Sequence, residues 1–221
     1  MTSRRAALAR ARREAASGAG DAKAGVVTGE EAARIHKWRS SVAEAERNVN
    51  LRRDQIEKAT PRPSSRGLAV AWAAARVGTT ERPAGSNRGP SIDVWQRAFG
   101  FLGVAWCGLF AGCALRAAGV KGITSRIASV ALIEDDARAG RAPFSAWTSS
   151  GSGVLRGDLV VIGGSGTHVE LVVERHGDGA CTTLGGNTSS GPGGSQSNGG
   201  GVFRRVRSPR EITGYARVNF S

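Results

Sequence analysis

A cysteine at the start of a helix-forming segment has the surroundings that a thiol nucleophile requires. Cys107 follows Trp106 at the beginning of an apolar stretch, VAWCGLFAGCAL (104–115). An unperturbed thiol has a pKa of about 8.5 and is mostly protonated at neutral pH, whereas the free N–H groups and the dipole of a helix N-terminus stabilise its thiolate. The position therefore favours a nucleophile. The alternative is that Cys107 is one more small buried apolar residue.

A nucleophilic thiol also needs a base within hydrogen-bond reach, and His168 is the best-placed histidine. It opens a β-type segment just after the turn-forming sequence GGSG. Asn187, at the end of the next β-type segment, can accept the imidazole N–H and fix its tautomer, as the third member of a triad does. The sequence therefore predicts a catalytic site made of Cys107, His168 and Asn187.

Three further residues near the predicted nucleophile are candidates for supporting roles. Ser86 and Asn87 lie in a Gly/Pro-rich loop upstream and can complete an oxyanion hole with the backbone N–H of Cys107. Their alternative role is to cap that loop. Trp106 is interpreted as a packing wall beside the nucleophile, and the alternative is a platform for a sugar ring.

The remaining cysteines and histidines predict neither disulfides nor a metal site. The three cysteines lack regular spacing, and Cys113 and Cys181 are interpreted as core residues. The three histidines, at 36, 168 and 176, are too scattered to form a recognisable zinc cluster. We therefore expect no metal and no cofactor.

A strong positive charge is spread over the whole chain. Of 31 basic and 18 acidic residues, 13 and 8 lie in residues 1–60, which leaves 18 and 10 for the remainder and a total of +13. Such a surface favours polyanions, among them anionic wall polymers. GC-rich coding, which favours arginine over lysine, is the simpler explanation for part of the excess. Nucleic-acid binding is disfavoured because the arginines are dispersed and no recognition motif is visible.

The N-terminal third predicts an appendage rather than a membrane anchor. Residues 1–27 are expected to be a basic, flexible segment with no signal peptide, because no apolar stretch follows their charges. No run in the chain approaches the roughly 18 apolar residues of a membrane span. TGEE (28–31) has the form of a capping box and opens a predicted helix over 28–59.

Apolar residues recur along that helix at the heptad spacing of a coiled-coil seam, with Arg52 interrupting the row. The seam consists of Ile35, Trp38, Val42, Ala45, Val49 and Ile56. One helix cannot bury such a seam alone. We expect it to dock on the downstream domain, to pair with a copy of itself, or to attach the chain to another protein.

Residues 60–68, which contain two prolines, are predicted to be a linker, and residues 69–221 to be a single α+β domain. Helical patterns cover 68–78, 92–103, 107–118 and 125–140, and short β-type runs cover 157–163, 167–176, 179–186, 201–207 and 212–218. HGDG (176–179) predicts a tight hairpin turn. Helices followed by an antiparallel meander are typical of an α+β fold.

Several of these segments, in the same order, resemble those of a known family. AWCGLFAGCAL, GDLVVIGGSGTHVELVVE and TLGGNT are similar to the Cys, His and third-residue blocks of CHAP domains, the cysteine/histidine-dependent amidohydrolase/peptidases. VGTTERPAGSN and ITGYARV extend the resemblance to about residues 69–218. The resemblance implies a papain-like fold, shared with NlpC-type enzymes. It also implies peptidoglycan hydrolysis with Cys107 as nucleophile, His168 as base and acid, and Asn187 as orienting residue.

One position departs from the family pattern. Many relatives of the phage-endolysin kind have a glutamate two residues before the asparagine, where this chain has Gly185. Glu170, two residues after His168, lies on the same face of its strand and can compensate, because a carboxylate near an imidazole raises its pKa. The alternative for Glu170 is a solvated charge on an edge strand.

The sequence therefore predicts a phage-type peptidoglycan hydrolase that cuts either the muramoyl–alanine amide or a stem or bridge peptide bond. Without an export signal, it is expected to stay in the host cytoplasm until holin pores open, or to be carried on the phage particle through helix 28–59. A different class of function also fits the departure at Gly185. In that alternative the chain is an inactive or weak CHAP-fold structural component of a phage particle.

Overall fold

The computed structural model describes residues 28–59, 64–191 and 199–220. The chain divides into two compact units, Met1–Pro61 and Arg62–Ser221. The segment 1–27, predicted to be flexible, lies outside the described residues, as do residues 60–63 of the predicted linker.

Helix α1 of the first unit spans Gly29–Ala59, close to the predicted range. The backbone N–H of Glu31 donates to the hydroxyl of Thr28 over 3.4 Å, which is the expected N-terminal cap. Three residues of the predicted seam, Ile35, Trp38 and Val49, are exposed. The partner that would cover the seam stays a prediction. None of the described helices is long and apolar enough to cross a membrane.

The second unit has the predicted α+β composition. Its α-helices are α2 (Ser65–Ala74), α3 (Pro90–Arg97), α4 (Cys107–Ala117) and α5 (Val130–Arg138), with a 3₁₀ helix at Ser125–Ala128. Its strands are β1 (Phe144–Thr148), β2 (Leu159–Ile162), β3 (His168–Arg175), β4 (Cys181–Thr188), β5 (Gly201–Arg207) and β6 (Ile212–Val218). The six strands form one antiparallel sheet in the order β1-β6-β2-β3-β4-β5.

The sheet differs from a simple meander at its start and its end. Strands β2 to β5 follow one another as predicted, which places β3 between β2 and β4, but β6 returns to pair with β2. Strand β1 pairs with β6 and escaped prediction, because only Phe144 of its five residues is fully buried and no alternation marks it.

The predicted helix over 92–103 is too long. Helix α3 ends at Arg97, since the backbone at Gly100 and Gly103 has φ values of 84° and 70°, which a right-handed helix does not allow. Its buried Gln96 then holds the following turn, because the backbone N–H of Phe101 donates to the carbonyl of Gln96 over 3.0 Å.

Helix α4 is the central helix of the unit and contacts α2, β3 and β4. Most of its residues are buried, including Leu109, Phe110 and Leu115. Glycines allow its neighbours to come this close. A Cβ at Gly186 of β4 would lie 2.7 Å from Cβ of Phe110, and a Cβ at Gly108 would lie 2.0 Å from the backbone oxygen of Ile127.

Gly108 therefore provides a test of the packing that fixes the start of α4. Gly108→Ala should lower the free energy of unfolding by about 1–3 kcal/mol, because a backbone oxygen cannot move aside without shifting the 3₁₀ helix. Urea denaturation followed by circular dichroism measures the change. Gly177→Ala is the matched control, since nothing lies within 4 Å of the added Cβ. Equal stability of the two variants would contradict this packing.

Candidate active site

Cys107 is the first residue of α4, where the helix presents unpaired N–H groups. Its N-cap residue, Trp106, makes no side-chain capping hydrogen bond. The free N–H groups of the first turn are therefore available to the Cys107 thiolate. Cys107 is 5% exposed. Burial would raise the pKa of the thiol, but its hydrogen bond to His168, the imidazolium charge and the backbone N–H groups of Val169 and Gly108 together lower it.

His168 opens β3 and is fully buried. Its Nε2–H donates to Oε1 of Glu170 over 3.2 Å, while Nδ1 has no other regular hydrogen-bond partner among the described residues. By elimination, Nδ1 is the nitrogen available to the Cys107 thiol. Burial lowers the pKa of His168, but the hydrogen bonds to Cys107 and Glu170 outweigh it and raise the pKa to about 9. Both directions favour a thiolate–imidazolium pair at neutral pH.

Glu170 is a buried carboxylate that holds the imidazole. Its oxygens also accept hydrogen bonds from the Thr183 hydroxyl and from Nε (3.0 Å) and Nη2 of Arg207. Burial raises the pKa of Glu170, but hydrogen bonds from His168 and Arg207 lower it to about 2. The alternative of a solvated charge on an edge strand is wrong, because β3 is an interior strand and the side chain is fully buried.

Arg207, at the end of β5, is a buried residue that the sequence analysis missed. Besides binding Glu170, it donates from Nη2 to the Thr188 hydroxyl over 3.1 Å and from Nη1 to Glu211 over 3.3 Å. A usable signal was present in the sequence. Alternation along β5 places Arg207 on the same face as Phe203 and opposite the exposed Arg204. An arginine on the inward face of a strand needs a buried acid as its partner.

Gly185 of β4 creates the space that the Glu170 carboxylate occupies. A Cβ at Gly185 would lie 2.6 Å from Oε1 and 2.7 Å from Cγ of Glu170. The β3–β4 register, with Leu171 opposite Leu184, brings these two positions side by side. A side chain at 185 and the carboxylate of Glu170 cannot occupy this place together.

Asn187, the predicted orienting residue, lies near the end of β4, at the same end of the sheet as His168. Its side chain is fully buried and its backbone is left-handed, with φ at 55°. The structure therefore fixes Asn187 near the site. The hydrogen bond that Nε2 of His168 donates is accepted by Glu170, and an orienting role for Asn187 stays a prediction.

Of the two loop candidates, Ser86 has the geometry of a capping residue. Its hydroxyl donates to the carbonyl of Pro83 and accepts from the backbone N–H of Arg88 over 3.2 Å. Asn87 differs, since its Oδ1 is buried without a hydrogen-bond partner in the described part of the chain, and its carbonyl accepts from Gln96 over 2.6 Å. An oxyanion role for Asn87 stays a prediction.

Trp106 is a packing wall, as interpreted from the sequence, and not a sugar platform. It is fully buried, with its ring centroid 5.7 Å from that of Trp95 and 6.3 Å from that of Phe110. Its indole N–H donates over 2.9 Å to Glu81, a buried acid that the sequence analysis did not single out. This bond ties the loop around Glu81 to the residue before the nucleophile.

A groove of about 460 Å³ adjoins the segment that leads into Cys107. It is lined by Phe101, Val104, Ala105, Ser125, Arg126, Ala128, Ser129 and Leu132. The charge of Arg126 is already met by Asp136, which accepts two hydrogen bonds of 2.8 Å from it. The groove is therefore suited to an uncharged segment with small apolar side chains.

The other thiols and acids do not form a competing site. Burial raises the pKa of Cys113 to about 11 and that of Cys181 to about 12, and all three cysteines are free. Within residues 28–59, 64–191 and 199–220, no group of three or more His, Cys, Asp and Glu is arranged to hold a metal ion. The chemistry of the described residues thus centres on Cys107 and His168.

The geometry of the site and the sequence motifs are the observations from which a function can be proposed. No family model, no curated protein and no solved structure matches the chain. The sheet and helices show an α+β fold. A CHAP-like fold within the α+β class therefore stays a prediction.

The ionised state of Cys107 gives a prediction that needs no substrate. Iodoacetamide at neutral pH should alkylate Cys107 and leave Cys113 and Cys181 unmodified, because their thiols have raised pKa values. His168→Ala should slow the reaction of Cys107 at least about tenfold, because a rise of one unit in the pKa of the thiol lowers the thiolate fraction by that factor. Peptide mass spectrometry identifies the modified residue. Alkylation of all three thiols only at alkaline pH would contradict the ion pair.

Proposed function

We propose that this protein is a cysteine hydrolase with a CHAP-like active site, which cleaves an amide bond in the peptide part of bacterial peptidoglycan. The observation that carries the chemistry is the chain of contacts from the Cys107 thiol through the His168 ring to the Glu170 carboxylate. A nucleophile, a base and an orienting group in this order form the arrangement of an activated thiol.

Each group has a defined task in the proposed reaction. The thiolate of Cys107 attacks the carbonyl carbon, and the oxygen that becomes negative is stabilised by the backbone N–H of Cys107 at the start of α4. The N–H at Nδ1 of His168 then protonates the leaving amine as the carbon–nitrogen bond breaks, which leaves a thioester. Water, deprotonated by the same nitrogen, attacks the thioester and releases the acid, and the sulfur leaves as thiolate, which restores the thiolate–imidazolium pair.

Glu170 contributes by orientation in this mechanism. By accepting the Nε2–H over 3.2 Å, it keeps Nδ1 directed at the thiol and stabilises the imidazolium that forms during the reaction. Its own pKa of about 2 keeps it ionised throughout the neutral range. It therefore serves as a fixed hydrogen-bond acceptor and does not exchange protons with the ring.

The peptidoglycan substrate is supported by the CHAP-like motifs and by two properties of the surface. Residues 61–221 carry an excess of eight positive charges, from 18 basic and 10 acidic residues, and this favours the anionic polymers of a bacterial wall. The groove beside Ala105 suits small apolar side chains such as those of a stem peptide. Both the muramoyl–alanine amide and a stem or bridge peptide bond are compatible with these features.

Two routes to the wall fit the proposal: release through holin pores, or transport on a phage particle to which α1 attaches the chain. The alternative of an inactive structural component arose from the missing acid at Gly185. The carboxylate of Glu170, which lies where a side chain at Gly185 would begin, supplies that acid and favours the active enzyme.

The thiol mechanism predicts complete dependence of wall cleavage on one cysteine. Cys107→Ala should abolish clearing in a zymogram of purified bacterial walls, while Cys113→Ala, a matched control on the same helix, should retain it. Mass spectrometry of the released muropeptides then identifies the bond, because a new alanine N-terminus and a new stem-peptide terminus differ in mass. Equal clearing by Cys107→Ala and wild type would rule the mechanism out.

The choice of Glu170 over Asn187 as orienting residue gives a separate prediction. Glu170→Gln should lower kcat by about 10²–10⁴, because a neutral amide no longer selects the required tautomer. Asn187→Gly, which tolerates the left-handed backbone at this position, should lower kcat much less. Steady-state turnover of soluble muropeptides, normalised to the folded fraction, measures both. A larger loss in Asn187→Gly would return the orienting role to Asn187.

A further inference from the structure

We propose that Arg207 is a positioning residue of this active site, which acts through Glu170, so that the unit orienting His168 is a buried Glu170–Arg207 ion pair. The inference rests on the thiol mechanism proposed above and adds to it a group that binds the Glu170 carboxylate. It also assigns a role to an arginine that the CHAP-like motifs do not include.

The geometry is that of a two-point clamp. Nε and Nη2 of Arg207 bind the two oxygens of the Glu170 carboxylate separately, Nε to Oε2 over 3.0 Å and Nη2 to Oε1. A guanidinium bound in this way fixes the plane of the carboxylate as well as its position. Oε1, the oxygen that accepts from His168, is therefore held in place by the clamp.

The guanidinium of Arg207 is in turn held by two further acceptors. Arg207 donates to the Thr188 hydroxyl over 3.1 Å and to Glu211 over 3.3 Å. Glu211 in turn accepts hydrogen bonds of 2.8 Å from the backbone N–H and the hydroxyl of Ser208. Side chains of β4 and of the β5–β6 turn thus hold one guanidinium of β5 against one carboxylate on β3.

Charge gives a second reason for the arginine. The thiolate, imidazolium, carboxylate and guanidinium alternate in sign through the buried interior, and Glu211 continues the series at the surface. Without Arg207, the charge of Glu170 would be compensated only by His168. The carboxylate would then oppose the thiolate of Cys107 electrostatically, or take up a proton and cease to support the imidazolium.

Neighbouring groups restrict the conformation of the Glu170 side chain near the ring. Its carboxylate fills the volume above Gly185, where a Cβ would approach to 2.6 Å, and the Thr183 hydroxyl donates to Oε2. The nearby Cys181 thiol, whose raised pKa is due first to burial and then to the charge of Glu170, stays neutral and adds no charge. In the described part of the chain, the ion pairs around the clamp join Glu170 to His168 and Arg207, and Arg207 to Glu211, with Cys107 beyond His168.

The pH profile of Cys107 alkylation by iodoacetamide tests the proposal on the full-length protein. Replacing the guanidinium by an uncharged chain, Arg207→Met, should shift the acid limb of the profile to higher pH by about one unit, which means about tenfold slower alkylation on that limb. Arg207→Lys keeps a positive charge but loses the two-point clamp, so that its shift should be about half as large.

Two controls separate this role from general stabilisation of the fold. Arg204→Met removes the same charge from an exposed position of the same strand and should leave the profile in place. In a Glu170→Gln background, Arg207→Met should cause no further shift, because the group through which it acts is already neutral. All rates are normalised to the folded fraction. If Arg207→Met does not fold, the shift measured in Arg207→Lys tests the proposal.

An acid limb that stays where it is in Arg207→Lys and Arg207→Met would overturn the proposal, and so would a shift of equal size with and without Glu170. Alkylation requires no peptidoglycan, so the result is independent of the proposed substrate. A protein that fails to clear walls and yet shows the Arg207-dependent shift would refute peptidoglycan hydrolysis and leave the present inference intact.

Discussion

Removing an ionised carboxylate from water costs several kcal/mol unless hydrogen bonds and an opposite charge replace the lost solvent. Glu170 meets this requirement with donors from His168, Thr183 and Arg207, contributed by three adjacent strands. The same contacts that make the buried charge tolerable also fix the position and tautomer of the imidazole. The chemistry proposed for Cys107 therefore depends on a buried carboxylate whose charge Arg207 compensates.

The fold supplies this arrangement through the order of its strands. Strand β3 is an interior strand because it pairs with β2 on one side and β4 on the other, so that its first residues are shielded by neighbours on both sides. Helix α4 packs against β3 and β4 with its N-terminus at the end of the sheet where β3 begins, so that the thiol of Cys107 meets the ring of His168. Small residues at 108 and 186 allow that approach.

The sequence was sufficient for the parts of the site that depend on local signals. A cysteine at a helix start and a histidine at a strand start are visible as changes of pattern, and both occupy those positions in the structure. The orienting group was harder to assign, because motif resemblance directs attention to Asn187, whereas the hydrogen bond with Nε2 of His168 favours Glu170. Alternation places Arg207 on the inward face of β5, but its partner Glu170 is brought to it by the pairing of β3 and β5 with β4, contacts between distant segments that periodicity does not reveal.

Gly185 has a consequence for how such a site changes over evolutionary time. A side chain there and the carboxylate on the neighbouring strand compete for one volume, so that the acid can stand on either strand but not on both. A substitution at either codon alone then leaves the site overfilled or without its acid. The two positions are therefore sterically linked, and a side chain larger than that of glycine at 185 requires a change at 170 as well.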